Sequence, residues 1–172
     1  MRIPFTILLA TSLAATASPV FAADPEPEIQ RAAGAAQAVG AAHTLRTIPE
    51  ACARLEGVFT GEAAQPYKYA VVRTSPQCQA RARFVDYAKA QPSAAKGWKF
   101  NDLIRVPSTA CPSQQAVVRV WRLPADNKPT LDGQGAARVY LQDAKENAAA
   151  GKQLPPVTMY AAEMKLEGKA CH

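Results

Sequence analysis

From Ile48 onward, apolar and polar residues alternate with a period closer to two than to 3.6, the spacing of strands with one buried face. Over residues 67–74, Tyr67, Tyr69, Val71 and Arg73 share one side and Lys68, Ala70 and Val72 the other. Residues 78–88 set Ala80, Ala82 and Phe84 against Arg81, Arg83, Val85 and Tyr87. Residues 98–106 set Trp98, Phe100, Ile104 and Val106 against Lys99, Asn101 and Arg105. Residues 116–123 are Val-rich throughout, and residues 157–166 alternate Thr158, Tyr160, Ala162, Met164 and Leu166 with Glu163 and Lys165. A further strand over 54–60 would pair with 67–74 as a hairpin.

The breaks carry turn chemistry: Ser75-Pro76, Gln91-Pro92-Ser93, Pro107-Ser108, Cys111-Pro112-Ser113, Pro155-Pro156 and the segment 124–135. The exception is 136–151, where Arg138-Val139-Tyr140-Leu141 opens as strand and 142–150 is a helix-former run ended by Gly151. Six or seven short strands with one late helix predict a mainly β domain, an antiparallel sandwich or small barrel.

The N-terminal part differs. Residues 1–22 combine Arg2, an apolar run through Ile7-Leu8-Leu9-Ala10 and a close at Val20-Phe21-Ala22. This is the pattern of a cleavable export signal cut between Ala22 and Ala23. Residues 23–47 read as an Ala/Pro-rich arm. Asp24-Pro25-Glu26-Pro27-Glu28 disfavours packing, and 29–45 is expected to be partly helical, weakened by Gly34 and Gly40. His43 then sits on a tether, and one domain spans 48–172. The apolar stretch 32–42 is too short to cross a bilayer, so no transmembrane segment is expected after cleavage.

Export decides how the cysteines read. Cys52, Cys78, Cys111 and Cys171 are even in number and lack CxxC spacing, so two disulfides are expected rather than a metal site. Cys52 with Cys78 and Cys111 with Cys171 is the favoured pairing. It closes a local meander and ties down the C-terminus, for about 3.5 and 4.3 kcal/mol in the chain-entropy model.

The charge is concentrated. The chain carries +6 overall. Between Lys68 and Arg122 lie ten basic residues against Asp86 and Asp102 alone. Such a middle attracts polyanions. In an exported protein, an anionic envelope glycan or an acidic protein ranks above nucleic acid. The candidate contact residues are those where basic and aromatic side chains interleave on strands: Tyr67, Tyr69, Arg73, Arg81, Arg83, Tyr87, Lys99, Arg105, Arg119 and Trp121. Arginine holds anions in bidentate fashion and exposed rings stack on sugars; the plainer reading is a solvated sheet face.

Catalytic chemistry is thin. His43 and His172 are the only histidines, and no GxSxG, HExxH or Walker loop occurs. Asp86 and Asp102, on strands expected to be adjacent, would serve a carboxylate-pair hydrolase only if roughly 5–10 Å apart. Otherwise they are counter-ions for neighbouring Arg and Lys. Asp126, Asn127 and Asp132 lack the EF-hand register for calcium. The expectation is a non-enzymatic binding or inhibitor-like protein of the envelope, periplasmic or extracellular, without metal or cofactor. A structural or assembly role through the arm and strand edges is the alternative.

Overall fold

The computed structural model describes residues 25–125, 146, 149, 150 and 157–171. Two sheets face each other as a sandwich and do not close into a barrel. One is ordered β1-β2-β3, from β1 (His43–Ile48), β2 (Ala53–Phe59) and β3 (Tyr67–Arg73). The other is ordered β4-β7-β6-β5, from β4 (Ala82–Phe84), β5 (Lys99–Pro107), β6 (Gln114–Leu123) and β7 (Thr158–Gly168). Neighbours are antiparallel except β4 and β7. The expected 54–60/67–74 hairpin is β2–β3.

Leu55, Phe59 and Ile48 from one sheet meet Ile104, Val106, Ala116, Val118, Val120 and Ala162 from the other. Burying a side chain such as Leu55 contributes about 1.5–3 kcal/mol. Gly57 is required inside this layer. A Cβ there would stand 1.8 Å from the Tyr67 hydroxyl oxygen, whose ring lies across the glycine.

Residues 78–88 depart from the single strand expected. Only Ala82–Phe84 pairs, and Asp86 then starts a four-residue helix, α1 (Tyr87–Ala90), by accepting from the backbone N–H of Ala88 and Lys89. An N-cap carboxylate offers the chain an alternative to the ladder. The link from β4 to β5 leads from one edge of the sheet to the other across its outer face. Tyr87 interacts there with Glu163, and Gly97 lies against Leu123.

A bulge in each sheet breaks the alternation. In β1, Thr44 opposes Glu56 and Arg46 opposes Leu55, so Leu45 is the extra residue. In β5, Phe100 opposes Trp121 and Asp102 opposes Val120, so Asn101 is extra. Two consecutive residues therefore turn inward in each strand. Leu45, Asn101 and Asp102 are buried, and Arg46 is nearly so. Phe100 is displaced to the outer face, against Trp121 at 5.1 Å between ring centroids. The single apolar face expected for 98–106 is thus split between two.

The arm is not helical. Residues 25–42 form a largely extended strap that follows β5 as far as Gln37 and then reaches Phe59 at the end of β2. Ile29 N–H donates to Asn101 O (2.8 Å), Gly34 N–H to Arg105 O (2.8 Å), Gln37 N–H to Pro107 O (2.9 Å) and Gly40 N–H to Phe59 O (2.8 Å). Two glycines and a methyl-only apolar side left a helix little to bury, while the β5 edge offered hydrogen-bond partners. His43 belongs to β1 rather than to a tether.

Cys52–Cys78 and Cys111–Cys171 are the two disulfides, with Cα atoms 5.7 and 5.6 Å apart. Among the described residues, no helix is long and apolar enough to cross a membrane. The signal segment with its Ala22/Ala23 junction, the 126–135 loop and His172 lie outside the described residues. So does most of 136–151, of which Glu146 and Ala149 are helical.

Candidate functional site

Asp102 is fully buried and holds two arginines. Arg31 of the strap donates to it in bidentate fashion, Nε to Oδ1 at 3.0 Å and Nη2 to Oδ2 at 2.6 Å. Arg46 donates Nη1 to Oδ2 at 3.1 Å and also reaches the Asn101 side chain, with its guanidinium carbon 6.0 Å from the Tyr160 ring centre. Beside it, Glu28 of the strap accepts from Arg122 at 3.1 and 2.6 Å and from Asn101 Nδ2 at 2.9 Å. The Arg122 hydrogen bonds, followed by Asn101, hold the Glu28 carboxyl below the usual range despite some desolvation. These ion pairs lock the strap to the sheet.

The carboxylate-pair idea fails on geometry. Asp86 caps α1 beside β4, whereas Asp102 is on β5, and these strands are opposite edges of the sheet. Three inter-strand steps of about 4.8 Å put them roughly 14 Å apart. Asp102 is a counter-ion, and Asp86 a helix cap.

The ten candidate contact residues do not form one face. Tyr67 is in the core, 1% exposed, its hydroxyl 2.8 Å from His43 Nε2. His43 Nδ1 lies 3.1 Å from Ala41 O, which can only accept; with Nδ1–H donating there and Nε2 bare, Nε2 accepts a hydrogen bond from the Tyr67 hydroxyl. Arg73 donates to the carbonyls of Ser75, Pro76 and Cys78 and pins the first disulfide loop. Arg83, Arg105, Arg119 and Trp121 are on the outer face of the four-stranded sheet, but Val117 and Ala161 on that face are 1% and 0% exposed. Its centre is covered, while Arg83 at the β4 edge is exposed. Arg81, Arg83 and Lys99 are exposed.

A second grouping separates the cations by use. Arg31, Arg46 and Arg122 are paired with carboxylates. Arg81, Arg83, Lys89, Lys96 and Lys99 are exposed, and no carboxylate of the described residues lies within 4 Å of them. They fall on β4, α1 and the approach to β5.

Tyr69 and Tyr87 meet elsewhere. A groove of about 560 Å³ opens on the edge away from the strap, between β3, the β4–α1 junction and β7. Its walls include Tyr69, Phe84 and Tyr87, with Asp86, Glu163 and Met164. Tyr69 donates to Ala162 O at 2.8 Å. Burial, then the fields of Asp86 and Glu163, raise the Tyr69 hydroxyl above the ordinary phenol range. Burial, then Glu163, does the same for Tyr87. Phe84 and Glu163 were not singled out from sequence, since only the fold brings β3 and β7 together.

Among the described residues, no three His, Cys, Asp or Glu side chains converge as a metal site. Compared with protein-family models, with curated proteins and with solved structures, the chain matches none.

Proposed function

We propose that this chain is an exported, non-enzymatic binding protein that engages an anionic envelope glycan or an acidic protein through the cations of residues 81–99. The observation that carries the reading is the division of the cations. Those turned inward are matched by carboxylates, whereas Arg81, Arg83, Lys89, Lys96 and Lys99 are exposed with no carboxylate of the described residues within 4 Å, and of these Lys99 feels the field of Glu28. Unmatched surface charge costs the fold little and raises local polyanion concentration. Two disulfides and the apolar, acid-free N-terminal run support export. The aromatic part of the expected contact surface is not included, because Tyr67 is in the core and Trp121 is half-buried against Phe100.

The test is retention of the mature protein on an immobilised sulfated polysaccharide and on polyglutamate, eluted in salt steps. Arg81→Glu with Arg83→Glu should elute at markedly lower salt with an unchanged melting temperature. Retention that survives both the reversal and high salt removes the electrostatic reading. An assembly role would rest on the β3 edge and on the part of β7 that the short β4 leaves unpaired, because the strap is occupied by its own sheet.

A further inference from the structure

We propose that the groove between β3, the β4–α1 junction and β7 binds a small substituted-ammonium ion. The wall residues supply three aromatic rings, Tyr69, Phe84 and Tyr87, and two carboxylates, Asp86 and Glu163. Among the described residues no Lys, Arg or His lines it, in a chain whose net charge is +6. The tyrosine hydroxyls already have partners in the wall. Tyr69 donates to Ala162 O, and Tyr87 interacts with Glu163. What remains toward a ligand is ring faces, hydroxyl lone pairs and carboxylate oxygens. That set attracts a cation and offers an anion nothing.

The carboxylates are only partly satisfied. Asp86 Oδ1 accepts two backbone N–H groups, leaving Oδ2. Glu163 has Lys165 Nζ at 3.3 Å from Oε2, on an exposed side chain, and Arg119 directly opposite it on β6; neither is among the described wall residues. A volume of about 560 Å³ suits a small organic molecule rather than a bare metal ion. Rings favour a cation with a bulky, weakly hydrated alkyl shell over a strongly hydrated primary ammonium.

The experiment is an NMR titration of the folded protein with choline and with 3,3-dimethylbutan-1-ol, its neutral isostere. Choline should shift the Tyr69 and Tyr87 ring resonances saturably, with at least tenfold tighter binding than the alcohol. Asp86→Asn with Glu163→Gln keeps an N-cap residue and the side-chain volumes, and should bring choline down to the level of the alcohol. Equal affinity for the two probes overturns the proposal, as does choline binding unchanged in the double variant. Absence of any saturable ring shift at roughly 100 mM choline, far beyond the millimolar range, also overturns it. The anionic-ligand reading is tested on different residues, so either can fail alone.

Discussion

Replacing Asp102 by Asn should loosen the strap and destabilise the whole sandwich. The substitution keeps the shape but removes the only carboxylate that Arg46 contacts among the described residues. The Arg46 side chain is 13% exposed, so its guanidinium would stay desolvated beside Tyr160 and Asn101. Removing one partner of a buried pair costs about 3–5 kcal/mol. Arg31 contributes no more than about 1 kcal/mol of that, because its side chain is 37% exposed and rehydrates once freed. For a domain of this size each kcal/mol moves Tm by about 2–4 °C, so a fall of roughly 6–20 °C is expected. Thermal and urea unfolding measure it. Amide exchange adds the location: the N–H groups of Ile29, Gly34 and Gln37 should lose protection ahead of those in β6. A cost below about 1 kcal/mol, or strap amides that exchange as in the parent protein, would refute the account in which the bulges exist to bury this pair.

Two further outcomes follow from the same geometry. Gly57→Ala should cost about 1–3 kcal/mol or more by urea unfolding, because the Tyr67 ring occupies the space of the new methyl; adding Tyr67→Phe should recover part of it. Glu28 is held below the ordinary glutamate pKa by Arg122. Its folded pKa is the lower one, so its contribution is present above the unfolded value of about 4.3 and is lost as pH falls through the folded one. Glu28→Gln should therefore flatten the acid side of a Tm-versus-pH curve below the unfolded value.

Strand identity is legible in the sequence where polar and apolar residues alternate or β-formers run together, as in β2, β3, β6 and β7, even though β3 buries only Tyr67 fully. Turn chemistry gave their ends, and even-numbered cysteines gave the bridges. Position on the sheet was not legible. Alternation puts Phe100 on the core face and Asn101 outside, and a bulge of one residue exchanges them without any Gly or Pro to announce it. The arm was misread for a related reason. Propensity weighed Ala against Gly within residues 29–45, but the deciding term was an edge strand some seventy residues away. The site suffered most. Ten residues alike in composition were scattered among core, loop, groove and covered sheet face by contacts that no local pattern contains.

The strap also sets an order of events. Arg31 precedes its partner Asp102 by 71 residues. A chain delivered N-terminus first, through synthesis or through the export proposed above, presents the second only after the first. For that interval the earliest part of the domain has nowhere to dock, and its place is completed only after β5 has formed. A segment that waits exposed benefits from being a poor partner for anything else. Acidic, interrupted by proline and glycine and otherwise mostly alanine, residues 24–42 have that character. The composition that looked too weak to pack is suited to arriving first and docking last.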